Sequence, residues 1–341
     1  MKVAFIIILI FFNLSLAMAQ DTAPAPVTIT DAKQADTNKK LKDGWHPKLK
    51  IKTNLSLGSS QSVIGQTDGD SKTLGASIDA GLDFKSGRNE WRQELKFSGA
   101  TTSTPTLPRF VKSSDELGYS TIYLRSLASY PHVGPYARAE AKTSAFKGEN
   151  VTAQAKTYLY KLNETTNINL GSYEVFRLTD PFVPLTTKEA MGFFYKAIER
   201  ENTSLEFRLG YGAIQVKTKD QYRLDDDSNT VNVIEVTSLE SASQSGVEYG
   251  FVFKGKWNET SEYSFVGDFL TPLGVEIDSG KECEDCSTLE LTNIDLKFSL
   301  TSKVNSWATV SYEYKALKQP EVLDQFQIQH GLVLNFIYDV F

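Results

Sequence analysis

The chain has 341 residues, a formal net charge of −6, 40 % hydrophobic and 23 % charged residues, and two cysteines. A mean hydropathy of −0.29, with no long apolar run beyond residue 19, excludes a helical membrane protein. Charges of mixed sign throughout exclude a nucleic-acid surface, and the length suits one mid-sized all-β barrel better than a small sandwich.

In chain order, residues 1–19 read as a secretory signal. Lys2 is the basic start, Phe5 to Phe12 lead the apolar region, and Ala17-Met18-Ala19 is a small-residue cleavage site. Residues 20–44, with Ala23-Pro24-Ala25-Pro26, read as a flexible periplasmic lead-in. From Trp45 the pattern changes to alternation. Leu49, Ile51 and Leu55 alternate with Lys50, Lys52 and Asn54. Leu74 to Phe84 alternates with Ser77, Asp79 and Asp83, and Trp91, Leu95 and Phe97 with Arg92, Glu94 and Lys96. Ile122 and Leu124 share one face of the next strand, with Tyr123 and Arg125 on the other. Ala137, Ala139 and Ala141 alternate with Arg138, Glu140 and Lys142.

Residues 144–187 are β-prone with weak apolar faces. They are expected to form a hairpin above the membrane, or two further spans. Strands then lead from Met191, Phe193 and Tyr195, from Leu205 to Tyr211 and from Val247 to Phe253, with an acidic loop expected over 217–244. Tyr263 and Phe265, Ile294 to Leu300, and Val310 to Tyr314 follow, each spaced by two. The last strand sets Phe326, Ile328, His330, Leu332, Leu334, Phe336, Tyr338 and Val340 on one face and mostly polar residues on the other. Its terminal Phe341 looks like the ending by which assembly machinery recognises a barrel, although it lies one residue out of phase with the apolar face. A period of two with different solvents on the two sides is the signature of a half-buried strand.

Two regularities give the architecture. Connections alternate: those at 85–90, 128–132, 199–203, 258–262 and 301–306 are short, while those at 59–72, 101–116, 144–187, 217–244 and 271–287 are long, with 317–325 intermediate. Outer-membrane barrels have short periplasmic turns and longer external loops. The tryptophans also collect on the short-turn side. Trp45, Trp91, Trp257 and Trp307, joined by Tyr263 and Tyr338, form a candidate aromatic girdle at headgroup level. The expectation is a transmembrane antiparallel up-and-down β-barrel over 45–341. It has twelve strands of about ten residues each, or fourteen if 144–187 spans.

The polar faces would then look into the lumen. They carry Lys50, Lys52, Asp79, Asp83, Arg92, Glu94, Lys96, Arg125, Arg138, Glu140, Lys142, Glu206, Arg208, Glu248, Lys254, Asp295, Lys297, Glu313 and Lys315. Opposite signs on neighbouring strands either pair across the lumen or line a narrow wet pore. Cys283 and Cys286 stand in a C-x-x-C whose following residues read as strand, so a local disulfide is expected over a redox site. Asp225-Asp226-Asp227 lacks the spacing of a calcium loop and reads as solvated. His46, His132 and His330 stand with no serine and acid in a pattern suited to nucleophilic catalysis.

Two stretches resemble a family of salt-induced outer-membrane proteins of unknown function. One is Leu55-Ser56-Leu57-Gly58 with Thr67-Asp68-Gly69-Asp70-Ser71, the strand to Phe84, and Trp91-Arg92. The other is Leu205-Glu206-Phe207-Arg208-Leu209-Gly210-Tyr211-Gly212. The resemblance implies the same barrel and location and no catalytic residues. The expectation from sequence is a monomeric Gram-negative outer-membrane barrel, structural or passing small solutes, without a cofactor. Its partners would be the bilayer, lipopolysaccharide and the barrel-assembly machinery. The alternatives are a membrane-embedded hydrolase, or a surface-binding protein acting through 144–187 and 217–244.

Overall fold

The computed structural model describes residues 42–60, 69–162, 166–225, 230, 232–276, 290–320 and 323–339. The signal, most of the lead-in, Asp226, Asp227, Cys283, Cys286, Val340 and Phe341 lie outside the described residues.

Twelve strands close a barrel. They are β1 (Gly44–Ser60), β2 (Gly69–Ser86), β3 (Asn89–Thr104), β4 (Leu107–Arg125), β5 (Val133–Thr143), β8 (Leu185–Arg200), β9 (Thr203–Lys217), β12 (Ala242–Lys256), β13 (Ser261–Glu276), β14 (Asn293–Lys303), β15 (Ala308–Gln319) and β16 (Leu323–Asp339). Every neighbour is antiparallel and β1 pairs β16, so the sheet has no free edge strand. The twelve-strand expectation is met, and 144–187 contributes no span.

The four remaining strands form a separate sheet. They are β6 (Gly148–Lys161), β7 (Asn167–Thr179), β10 (Tyr222–Leu224) and β11 (Val233–Ser238), in the order β10-β11-β6-β7. The expected hairpin is β6–β7. The expected acidic loop 217–244 is corrected: β9 and β12 extend into it from both ends, and β10 and β11 lie within it, β11 parallel to β6. Val233-Ile234-Glu235-Val236 is a short run buried on both faces, with Glu235 among its buried residues, and has no clean alternation to reveal it. Tyr158 stacks on Phe176 at 4.1 Å, and Phe176 meets Tyr222 at 5.6 Å. That contact joins the first and last strands, so the sheet curls round its own core of Tyr158, Phe176, Ile234 and Val236. This cap stands at the end of the barrel away from the short turns.

Strand length is the second correction. Barrel strands run from 11 to 19 residues, not about ten. A tilted span needs roughly 9–11 residues. The excess projects on the long-loop side, because β2 and β3 are tied at Ser86↔Asn89 on the other. Residues 101–116, expected as a loop, are instead the upper halves of β3 and β4. Thr104 and Leu107 pair across a two-residue turn there. Likewise 317–325 is mostly strand.

Polarity is inverted relative to a soluble barrel. Leu209, Phe193, Met191 and Leu332 are 60 %, 61 %, 69 % and 75 % exposed, while Glu248 is fully buried. Leu334 is exposed too. Large apolar side chains exposed on the outside of most wall strands need a solvent other than water.

Candidate functional site: the charged lumen

Inward alternation brings the charged residues together in layers. The central layer joins β5, β9, β12 and β13. Arg138 Nη2 is 2.8 Å from Glu248 Oε1, and Arg138 Nη1 is 3.0 Å from Asp268 Oδ1. Arg208 Nη2 reaches the same Asp268 oxygen at 3.0 Å. Glu140 lies 3.7 Å from Arg138, and Tyr136 donates its hydroxyl hydrogen to Glu248. Asp268 lies four strands round the wall from Arg138, so this pair crosses the lumen. Arg138, Arg208 and Glu248 are all buried. Charges buried that deeply persist only when paired.

Toward the short turns, Arg92 donates to Glu90 at 2.6 Å and to Glu206 at 3.4 Å, and Lys196 donates to Glu90 at 3.0 Å. Between these layers sits an apolar plug of Leu124, Tyr136, Ala190 and Phe194, with Ile122 against it. Toward the long loops, Lys142 and Lys297 meet Asp295 at 3.8 and 3.1 Å, and Lys315 meets Glu116 at 3.6 Å. Along β1 to β3 the pairs are Lys48–Asp83 and Lys52–Asp79, each at 2.9 Å, and Lys96–Glu94 at 4.0 Å.

Most of the candidate residues stand on the inward faces of their strands. Lys50, Lys254 and Glu313 are not exposed and lie on the inward faces of their strands. Arg125 is a correction: it is exposed at the end of β4, where Leu124 turns inward and Tyr123 outward. The β4 phase is inverted because its inner wall supplies the apolar plug. Sequence reading missed Asp268, Glu90, Lys196, Lys48, Glu116 and Tyr136. Asp268 follows from carrying the Phe265 alternation three residues further.

Trp45, Trp91, Trp257 and Trp307 all lie at the short-turn end, with Tyr263 and Tyr338. Trp45 is 4.6 Å from Phe84 and 6.1 Å from Trp91, Trp257 is 5.5 Å from Tyr263, and Trp307 stacks on Phe336 at 5.7 Å. The opposite end carries exposed Phe110, Phe146 and Phe182, an aromatic set the sequence reading did not anticipate. His46 contacts the Lys42 carbonyl, His132 lies 3.7 Å from Glu199, and His330 stacks on Tyr314. Among the described residues none of the three joins a serine and a carboxylate.

No protein-family model matches the chain, and no curated protein sequence matches it. Among solved structures, an outer membrane channel of Pseudomonas putida F1 is similar at TM-score 0.38 and 11 % identity, covering 89 % of this chain and 97 % of that one. The translocator domain of autotransporter NalP from Neisseria meningitidis gives 0.36 and 10 %, covering 89 % and 91 %. The toluene transporter TodX of P. putida gives 0.33 and 9 %, covering 88 % and 90 %. The strand pairing, not these likenesses, establishes the closed twelve-stranded antiparallel barrel.

Proposed function

We propose that the protein is an integral barrel of a Gram-negative outer membrane, with its short turns periplasmic and its cap outside. At rest its lumen is held nearly shut by ion pairs, so it acts as a structural or strongly restricting small-solute pore. The observation that carries this reading is the pairing of an apolar outer wall with Arg138, Glu248, Asp268 and Arg208 bridged across the interior. The resemblance to salt-induced outer-membrane proteins belongs to the same proposal, as does delivery by the barrel-assembly machinery.

Planar-bilayer recording tests it. The wild type should conduct weakly, and the double variant Arg138→Ala/Glu248→Ala should conduct more, because both sides of the central bridge are removed together. Equal conductance in the two proteins would contradict a gate at this layer.

A second reading rests on the cap. Loops 144–187 and 217–244, far apart in sequence, fold into one sheet with one core, which suits a preformed binding surface. Replacing 148–179 and 222–238 by short linkers should leave a folded barrel with unchanged conductance. Loss of a cell-surface ligand alone would favour this reading, and loss of the barrel would remove it.

A further inference from the structure

Two long side chains of β5 end on one carboxylate three strands away. Tyr136 donates its hydroxyl hydrogen to one oxygen of Glu248, and Arg138 Nη2 lies 2.8 Å from the other. The wall between them, in the order β5-β8-β9-β12, is roughly 14 Å wide at the ordinary strand spacing. The inward positions that the two side chains cross are small. Tyr136 is level with Gly192, Gly192 pairs Gly210, and Gly210 pairs Glu248. Arg138 is level with Ala190, which pairs Gly212. Gly192 and Gly210 admit no side chain, because a Cβ on either would run into the backbone of the neighbouring strand. The result is a trough on β8 and β9, floored by main chain and spanned by two straps from β5.

The two straps are held differently. Arg138 is fixed by Glu140, Glu248 and Asp268 together. Tyr136 is fixed by its one hydrogen bond and by packing in the cluster of Leu124, Ala190 and Phe194. They also differ in what they do to water. A guanidinium can trade its hydrogen bonds with water or with a passing oxygen, whereas an aromatic ring in an apolar cluster keeps its surroundings dry. Without the ring the trough would be wet. Arg138 Nε and Arg208 Nε are buried N–H donors with no hydrogen-bond acceptor among the described residues. Arg208 holds the inward position next to Gly210 on β9, on the short-turn side.

We propose that the Tyr136 ring, more than the ion pairs, closes the pore, and that the β8–β9 trough is the path of water and small hydrated solutes past the central layer. The proposal rests on the pore reading above. It adds the side chain that sets the width and the wall along which the path runs. Rotation about the Tyr136 Cα–Cβ bond breaks one hydrogen bond and uncovers the trough, while Arg138 keeps its carboxylates. The Nε donors of Arg138 and Arg208 then give water and solute oxygens a place to bond, so the opened trough fills rather than staying dry.

Planar-bilayer recording of the full chain, with Cys283→Ser/Cys286→Ser as background, tests this. Tyr136→Ala should raise the unitary conductance several-fold, and by more than Arg138→Ala does. Tyr136→Phe, which loses the hydroxyl and keeps the ring, should open more often than wild type but in smaller steps than Tyr136→Ala. Tyr136→Cys should conduct like Tyr136→Ala until a bulky methanethiosulfonate reagent blocks the current, and dithiothreitol should restore it. A rise in Arg138→Ala that equals or exceeds the rise in Tyr136→Ala would overturn the proposal and leave the pore reading standing. So would a Tyr136→Cys current that the reagent leaves unchanged. Wild-type conductance in all of these variants, and in Arg138→Ala/Glu248→Ala as well, would remove the pore reading itself. If Tyr136→Ala does not fold, judged by heat-modifiable migration, Tyr136→Leu, too short to reach Glu248, carries the same expectation.

Discussion

Arg138 illustrates how one side chain can be fixed by the period of its strand. On β5 it stands between Ala137 and Ala139, whose small side chains face outward, and its guanidinium reaches carboxylates on β12 and β13. Removing one partner of a buried pair leaves the other uncompensated, at about 3–5 kcal/mol. Glu248→Ala should therefore lower barrel stability by roughly that amount, read as a lower urea midpoint in detergent. Arg138→Ala/Glu248→Ala should be less destabilised than the two single changes added together. Residue-level charge was the most legible property of the sequence, because alternation assigns a face without knowledge of the partner. The partners were less legible. Asp268, the carboxylate that both arginines share, stands before the 271–287 connection, three residues past Phe265, the last residue at which the alternation is legible.

At the level of elements, the cap shows where local pattern stops being informative. β11 joins β6 in parallel across more than seventy residues, and nothing within either segment announces the other. Lys161 helps hold the joint, donating to Glu235 at 2.7 Å and lying 3.6 Å from Asp225. The hydrogen bond to Glu235 raises the Lys161 pKa above its ordinary value, with the nearby carboxylate charges adding to it. A raised lysine pKa stabilises fully below the unfolded value and is lost as pH climbs through the folded one. The advantage of wild type over Lys161→Met in thermal unfolding of the cap should thus be constant from neutral pH to about 10 and disappear above the lysine range. An advantage that vanished on acidification to pH 6 would contradict this ion pair. The barrel strands are more legible, although their alternation marks only the part of each that faces lipid. Residues 101–116 contain Pro105 and polar residues that resemble a loop, and once clear of lipid a hairpin no longer needs an apolar face to remain a strand.

For the whole molecule, the alternation of short and long connections and the clustering of tryptophan at one end were enough to define a closed barrel. Neither could say whether the lumen was open, since a paired interior and a wet one use the same residues. Only the cross-lumen distances separate these cases, and they favour the paired one. The central claim is that lipid and interior alternate along every wall strand. Site-directed spin labelling over 205–212 in bilayers, in the Cys283→Ser/Cys286→Ser background, tests it directly. Labels at Leu205, Phe207, Leu209 and Tyr211 should be accessible to oxygen and shielded from a water-soluble nickel relaxant, and labels at Glu206, Arg208 and Gly210 should lack the oxygen maximum. A uniform profile, or Leu209 shielded from both reagents as in a protein core, would contradict the account.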